Sequence, residues 1–411
     1  MLNNVVALAG FALVGLVLLL PRIRRAESWR ATVTPLASII GSGFLVSLPI
    51  LALAFGALAP VAMAVLVGVS YLVGAAVRFN IRHGEALFDD MPGSWINWLE
   101  QASHLALALA YFVSVTYYLS LLGVFAVKGA GGAPGPEHVL AARCVATGLL
   151  AFIAGWGALR GLRGLEGVEE LAVGFKLAVI AAVLAALAAL NVEAAAGRGW
   201  SVPVGAHKVG LHELRVLLGM LIVVQGFETS RFLRSAYPAK LRIRTMKWSQ
   251  WLSAAIYCAF FLLSLLILDR TPGQPDAAAV TDMMAPAASV LPAMLIAGAV
   301  FAQLSAAVAD AIGGAGLIEE TTSGRLGARA AYPVIAVMGI LIVWSTDVFQ
   351  VIAIASRAFA LYYALQCGVA VLVALRAPDV RSRLPAALGF AALGLLMVCV
   401  LLFGLPAEAG G

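Results

Sequence analysis

Long apolar runs alternate with short polar segments along the whole chain. A helix needs about 20 mostly apolar residues to cross the hydrocarbon core of a bilayer. Runs of this kind lie at 4–20, 32–55, 58–78, 99–127, 139–158, 168–191, 213–233, 249–268, 287–311, 331–345, 347–375 and 385–404. The pattern therefore predicts an all-α membrane protein with about twelve transmembrane helices.

The first apolar run does not have the order of a cleavable signal peptide. No basic residue precedes its apolar part, whereas Arg22, Arg24 and Arg25 follow it. A signal peptide has the opposite order and a small-residue cleavage site. We therefore expect a retained first helix whose N-terminus lies outside the cell.

Basic residues are unevenly divided between the two sides of the predicted bundle. Threading the spans alternately places nineteen Lys and Arg residues at one side and six at the other. Because cytoplasmic loops carry the excess of positive charge, the richer side is predicted to be cytoplasmic. Twelve spans then leave both termini extracytoplasmic, in a membrane that we expect to be a bacterial inner membrane.

Composition supports a membrane protein and excludes several other classes. The 411 residues are 62% hydrophobic and 12% charged, whereas soluble domains carry about 25% charged residues. The net charge of +6 is accounted for by basic loops and does not indicate nucleic-acid binding. The four cysteines lie in apolar runs without close pairs, so no disulfide framework, metal or other cofactor is expected.

The spacing of the spans indicates an internal repeat. Five spans lie within 31–191 and five within 213–375, and their centres pair at a nearly constant offset. Because five is odd, the second unit enters the membrane from the opposite side, which is the inverted-topology organisation of many secondary transporters. The segments 1–30 and 376–411 each add one flanking helix. Twelve evenly spaced helices can also produce this offset without a repeat.

Helix-weakening residues interrupt the first span of each predicted unit. The first carries Gly41-Ser42-Gly43, and the second carries the segment QGFETS at 225–230. Each Gly costs a helix about 1 kcal/mol relative to Ala. Unwound backbone survives within a membrane only where it lines a cavity or contacts protein or ligand. The alternative is a notch for close helix packing, since Gly and Ser are common at membrane helix contacts.

Several motifs resemble the amino acid–polyamine–organocation (APC) superfamily of transporters, which have a LeuT-like fold. The motif "IIGSGFLVSLP" resembles their first helix, "ELAVGFKLAVIAAVL" their fifth and "QGFETS" their sixth. The resemblance covers roughly 30–375. An additional helix precedes the first motif, and the acidic pair common after the sixth-helix motif is absent.

This resemblance implies a substrate site at the midpoints of the two interrupted helices. There, backbone N–H groups would bind a substrate carboxylate, carbonyl groups would bind its ammonium, and Phe227 would close the site. The carboxylate of Glu228, which is costly in a membrane, would be linked to protons. The predicted substrate-binding residues are Ile39, Ile40, Gly41, Ser42, Gly43, Gln225, Gly226, Phe227 and Glu228.

Lys176 is the predicted coupling residue, together with Glu228 and Asp310. By resemblance, the Lys176 ammonium would reach the first interrupted helix and occupy the place of a sodium ion in sodium-coupled relatives. A lysine buried in this way can exchange its proton near neutral pH. The alternative is a lysine that extends to the membrane surface.

Other polar residues in the spans have two possible interpretations. Asp310 is either functional or simply near the cytoplasmic end of its helix, and Arg357 is expected to pair with a carboxylate in the bundle. The remaining candidates either line the pathway or pack between helices: Tyr111, Tyr117, Gln303 and Ser305.

These features favour a secondary active transporter for an amino acid or a related organic amine, coupled to protons or working as an exchanger. The chain has no G-x-x-x-x-G-K-[ST] motif, and its five histidines are dispersed, so neither an ATP-driven pump nor an enzyme is expected. The expected partners are a small-molecule substrate, protons and the lipid bilayer. The alternatives are an inorganic cation transporter using Glu228 and Asp310 and a non-transporting membrane sensor.

Overall fold

The computed structural model describes residues 1–41, 43–90, 94–132, 135–161, 166–197, 199–234, 236–273 and 276–406. Across these ranges the chain is helical, and an isolated bridge between Gly56 and Ala206 is the only β-pairing. The α-helices are α1 (Leu2–Leu19), α2 (Pro21–Arg24), α3 (Glu27–Ile39), α4 (Gly43–Phe55), α5 (Ala59–Phe79), α6 (Glu85–Asp90), α7 (Trp95–Gly129), α8 (Pro136–Arg160), α9 (Glu166–Gly197), α10 (Leu211–Gly219), α11 (Ala239–Leu263), α12 (Ala279–Met284), α13 (Leu291–Thr321), α14 (Ala328–Ser345), α15 (Val348–Arg376) and α16 (Arg383–Phe403).

The prediction of an all-α membrane protein is confirmed. Within the described ranges, eleven helical segments are long and apolar enough to cross a bilayer, counting α3 and α4 together. The predicted span 213–233 is not one continuous helix. It consists of α10 and two 3₁₀-helices, Leu221–Val224 and Phe227–Leu233. Gly226, with φ +118°, separates the two 3₁₀-helices in a conformation that favours glycine.

Two predicted boundaries have different outcomes. Predicted span 287–311 is too short, since α13 continues to Thr321. The glycines that follow Asp310 do not end α13, because they pack against aromatic rings of α7. Gly313, for example, lies against the ring of Tyr111. The division into 331–345 and 347–375 is confirmed. Asp347 begins α15 by accepting hydrogen bonds from the N–H groups of Phe349 and Gln350, at 2.8 and 2.9 Å.

Helix α7 lies at the centre of the bundle, and its buried residues pack against α8, α13 and α15. Helix α16 packs on α15, while α1 packs along α9. The ring of Phe11 on α1 contacts Phe175 on α9 edge to face, with 5.6 Å between centroids. The additional N-terminal helix therefore covers the helix that carries Lys176.

Among the residues that the structure describes, most of the ion pairs between helices lie at one end of the bundle. Arg242 of α11 donates two hydrogen bonds to Glu85, at 2.8 and 2.7 Å, and His83 contacts Asp379 at 2.6 Å. We call this end, where α5 finishes and α7 begins, the basic end. The opposite end carries the first residues of α1 and the 199–210 segment.

The contact between α7 and α8 generates a stability prediction. A Cβ atom at Gly123 would lie 3.2 Å from Ala142 Cα and closer still to its carbonyl oxygen. Overpacking costs about 1–3 kcal/mol, so Gly123→Ala should lower the thermal unfolding temperature in detergent. Gly148→Ala is the matched control, because a Cβ at Gly148 meets open space. Equal unfolding temperatures for the two variants would contradict the described helix contact.

Candidate functional site

The two interrupted helices meet at the centre of the bundle. Helix α3 ends at Ile39 and α4 begins at Gly43; Ser42 lies outside the described residues. Helix α3 packs against the 3₁₀-helix Phe227–Leu233, whereas α4 packs against Leu221–Val224 and α10. Half-helices that face the same end of the bundle therefore pack together, and the two breaks lie side by side.

Two glycines allow the breaks to approach each other. A Cβ atom at Gly43 would lie 2.7 Å from Val223 Cα and 2.8 Å from the Tyr257 hydroxyl oxygen. A Cβ atom at Gly226 would lie 2.7 Å from the backbone nitrogen of Ile39. Each glycine thus faces the backbone of the opposite break, and no larger residue fits without displacing it.

Tyr257 of α11 joins the two breaks directly. Its hydroxyl lies 3.1 Å from the Ile39 carbonyl oxygen and 2.7 Å from that of Val223. The side chain is completely buried. Sequence analysis did not identify Tyr257, because a lone tyrosine on an apolar helix is indistinguishable from a packed aromatic residue.

Side chains from neighbouring helices satisfy further backbone groups of the second break. Ser356 of α15 donates to the Gly219 carbonyl at 2.7 Å and accepts from the Ile222 N–H at 3.0 Å. Ser70 of α5 donates to the Val224 carbonyl at 2.8 Å. Because lipid supplies no hydrogen bonds, these contacts make the unwound segment compatible with the membrane interior.

Glu228 lies immediately after the second break and is completely buried. Its Oε2 accepts hydrogen bonds from the Gly226 N–H at 2.9 Å and the Tyr363 hydroxyl at 2.7 Å. Its Oε1 and the Gln225 Oε1 have no partner among the described residues. Buried acceptors of this kind normally meet a donor from protein, water or ligand.

Phe227, the predicted gate, stacks on Tyr363 with 5.2 Å between centroids.

Lys176 contacts the first break. Its ammonium donates to the Ala37 carbonyl at 2.7 Å, near the end of α3, and its side chain is buried. The alternative of a lysine extending to the membrane surface is therefore wrong. Beside Lys176, a cavity of about 20 Å³ is lined by Gly41 and by Ala299 and Ala302 of α13. This volume holds about one water molecule.

The structure changes the interpretation of Asp310 and Arg357, whose roles the sequence left open. Asp310 is buried and accepts a hydrogen bond from Ser114 of α7, so the interpretation as a helix-end residue is wrong. Its helix continues for eleven further residues. The expected pairing of Arg357 with a carboxylate is also wrong, because its guanidinium donates to the Gly404 carbonyl at 2.6 and 3.2 Å. That carbonyl lies at the C-terminal end of α16, where acceptors have no helical partner.

The other candidates are placed at different depths of the bundle. Gln303 is completely buried, and neither amide atom has a partner in the described part of the chain. Tyr111 packs edge to face on Phe359, with 6.0 Å between centroids, and Tyr117 contacts Tyr118 at 5.3 Å. Ser305 is only half-buried. Apart from Ser305, these side chains belong to the bundle interior.

A buried polar network near the basic end was missed by sequence analysis. Arg231, which follows the second break, contacts Glu100 of α7 at 2.5 Å. Gln366 of α15 donates to Glu100 Oε2 at 3.0 Å and also accepts a hydrogen bond from Arg231. The network ties the 3₁₀-helix Phe227–Leu233 to α7 and α15. Glu100 lies near the edge of one predicted span, and Gln366 is an isolated polar residue within another. No sequence pattern therefore linked the two residues.

The donor set of this region does not resemble a metal site. Among the residues that the structure describes, no group of three or more His, Cys, Asp or Glu side chains is arranged to hold a metal ion. Transition-metal sites in proteins are commonly built from several such ligands around one point.

Comparison with known proteins supports the same class of protein. A family of APC superfamily transporters matches residues 21–404. The chain belongs to this APC family. The match begins after α1 and extends through α16. An uncharacterized protein of Aquifex aeolicus (strain VF5) is 38% identical over 412 residues, which cover 99% of this chain and 98% of that protein. The protein is therefore an integral membrane transporter with a small-molecule substrate.

The bridging role of Tyr257 in this APC transporter leads to a second stability prediction. Tyr257→Phe removes a hydroxyl whose single proton is shared between two buried carbonyl groups, so we expect a loss of about 1–3 kcal/mol and a lower unfolding temperature. Tyr362→Phe is the matched control, because the equally buried Tyr362 hydroxyl has no hydrogen-bond partner in the described part of the chain. If Tyr257→Phe is no less stable than Tyr362→Phe, the hydroxyl does not hold the breaks together.

Proposed function

We propose that this APC transporter is a secondary active transporter that moves an amino acid or a related organic amine by alternating access. The observation that supports this proposal is the meeting of two unwound helix midpoints, with Lys176 beside one and Glu228 beside the other. Unwound half-helices present N–H groups to anions and carbonyl groups to cations. Such a site suits a zwitterion without requiring a dedicated counter-ion for each charge.

In this proposal, the substrate carboxylate binds near Gly41, just before α4 begins at Gly43. The first N–H groups of any helix have no partner within that helix, and its dipole favours negative charge there. The substrate ammonium binds among acceptors of the second break, including Gln225 Oε1 and Glu228 Oε1, which have no partner in the described residues. The Ile39 carbonyl is already within hydrogen-bond distance of Tyr257.

The proposed transport cycle requires the basic end to open and close. We propose that the stacked Phe227 and Tyr363 and the Glu100–Arg231 pair form the closure at this end. We place the basic end in the cytoplasm, as the positive charge of its loops favours, so that both termini lie outside. The half-helices would then move as parts of two inverted repeats, 31–191 and 213–375.

Lys176 is the proposed coupling residue. Its ammonium donates to a carbonyl of α3 and lies beside the small cavity described above. Gain or loss of its proton changes the charge next to the first break, and a charge change that favours one conformation shifts the population toward it. Proton coupling follows if substrate binding and this proton exchange favour different conformations.

Gly41→Ala tests the backbone site. A Cβ atom at Gly41 would lie 3.2 Å from the Ser38 carbonyl oxygen and 3.6 Å from Tyr118, so the fold should tolerate it better than a side chain at Gly43. We expect affinity to fall at least about tenfold for the amino acid or amine that stabilises the wild-type protein most in a thermal-shift screen. Gly174→Ala, which meets open space, should bind normally. Unchanged affinity in Gly41→Ala would contradict a carboxylate at this backbone.

Lys176→Gln tests the coupling role. This variant keeps a hydrogen-bond donor but cannot change charge, so the pH dependence of proteoliposome uptake should differ from that of the wild type. Lys128→Gln is the control, since Lys128 contacts Asp282 at the opposite end of the bundle. A wild-type pH profile in Lys176→Gln would exclude Lys176 as the coupling group. Ligand binding without any uptake by the wild-type protein would favour the sensor alternative.

A further inference from the structure

A histidine at the basic end contacts the buried network that closes this end. His104 of α7 places Nε2 2.8 Å from Glu100 Oε1. Its Nδ1 lies 3.8 Å from Glu320 Oε1 of α13, which is largely exposed. The imidazole thus lies between a buried carboxylate and a carboxylate in contact with solvent. The substrate site does not require this histidine.

Glu100 Oε1 is shared by two side chains. It accepts a hydrogen bond from His104 Nε2 and another from Arg231 Nη2, which lies at 2.5 Å. Arg231 follows the second break, whereas Glu100 belongs to α7. Together with the hydrogen bonds of Gln366, this ion pair therefore holds the 3₁₀-helix Phe227–Leu233 against α7.

The charge of His104 changes the balance at this shared oxygen. A neutral imidazole donates one hydrogen bond to Glu100, and Arg231 is then the cation that balances the Glu100 charge. A protonated imidazole places a second positive charge on the same oxygen, which repels the Arg231 guanidinium. Its newly protonated Nδ1 also attracts Glu320. Histidine is the side chain that ordinarily makes this change between about pH 5 and 8.

We infer that His104 is a positioning residue through which pH at the basic end controls the closure formed by Glu100 and Arg231. Acidification loosens this closure and favours opening at the basic end. The groups that the structure places around the imidazole are Glu100, Glu320, Arg231 through the shared oxygen, and the ring of Phe232 at 5.5 Å. The inference uses the proposed opening of the basic end but not the identity of the substrate.

The chain provides a matched control at the same end of the bundle. His83 Nδ1 lies 2.6 Å from Asp379 Oδ2, and this hydrogen bond holds the pKa of the Asp379 carboxyl below its usual range. Asp379 is well exposed, and no described contact joins this pair to Glu100 or Arg231. His83→Gln therefore removes a histidine–carboxylate pair without touching the closure.

The experiment measures opening directly, without a substrate. Spin labels are attached at Arg234→Cys, after the second break, and at Arg329→Cys on α14, both of which are exposed. The four native cysteines are replaced by Ser, and distances are measured by pulsed electron resonance in lipid nanodiscs. In the wild-type sequence, lowering the pH from about 8 to 5.5 should raise the population with long distances at least about threefold.

Three variants test the assignment to His104. His104→Gln keeps a donor to Glu100 without a titrating charge, so its distances should stay at the high-pH distribution at every pH. His104→Arg should show the low-pH distribution at every pH, and His83→Gln should respond like the wild type. A wild-type response in His104→Gln, or a lost response in His83→Gln, would overturn the inference.

A folding check keeps the test decisive. Each variant is compared by size-exclusion profile and unfolding temperature, and Glu320→Gln provides a further variant at an exposed position. Glu320→Gln should respond to pH more weakly than the wild type, because the protonated imidazole then lacks the carboxylate that its Nδ1 faces. If all variants respond correctly but uptake is absent, the proposed transport function fails while the pH-controlled closure stands.

Discussion

The organisation of this transporter depends on one constraint, which is that every backbone N–H and C=O group within a membrane must find a polar partner. Two interrupted helices in one bundle create many such groups. The chain satisfies a substantial part of this requirement by placing the interruptions against each other. The Tyr257 hydroxyl reaches a carbonyl from each break, and Gly43 and Gly226 remove the side chains that would keep the backbones apart.

In the proposed function, this arrangement lets the centre of the bundle both hold a ligand and change shape. The half-helices pack with partners from the other interrupted helix, so each pair faces one end of the bundle. Contacts across the centre combine a few directed hydrogen bonds with apolar packing, since Ile39, Val223 and Phe227 belong to one buried hydrophobic cluster. A small number of polar contacts can exchange partners at lower cost than an interdigitated core can be repacked. Opening of one end therefore does not require the whole bundle to separate.

Charge at the basic end has a different role from charge at the breaks. Glu100, Arg231 and Gln366 form a closed set of hydrogen bonds between three elements. A buried ion pair contributes little net stability, but removal of one partner costs about 3–5 kcal/mol. Such a pair is well suited to define one conformation, because any intermediate conformation that separates the two charges leaves a buried charge unpaired and is therefore higher in free energy. Proximity to an imidazole makes the same pair responsive to protons.

Sequence reasoning identified the elements whose signal is local. Apolar runs predicted the membrane helices, and the glycines at 41, 43 and 226 marked the two interruptions because they weaken a helix wherever they occur. Lys176 was noticed because a charge within an apolar run is unusual, and its motif linked it to the first break. The role of Asp310 was left open and that of Arg357 was misjudged, because a helix boundary and a distant partner decide their surroundings. The true end of α13 depends on Gly313 and Gly314 packing against α7, which no local pattern reveals.

The sequence by itself therefore determined the membrane class, most of the spans and the positions of the interruptions, since hydropathy and helix propensity act over a few residues. Only the tertiary structure decided which polar groups meet. Tyr257 and Val223 are 34 residues apart, whereas Arg231 and Glu100 are separated by 131 and Lys176 and Ala37 by 139. Contacts over such separations depend on how the helices cross, so a single sequence marks the residues without revealing their partners.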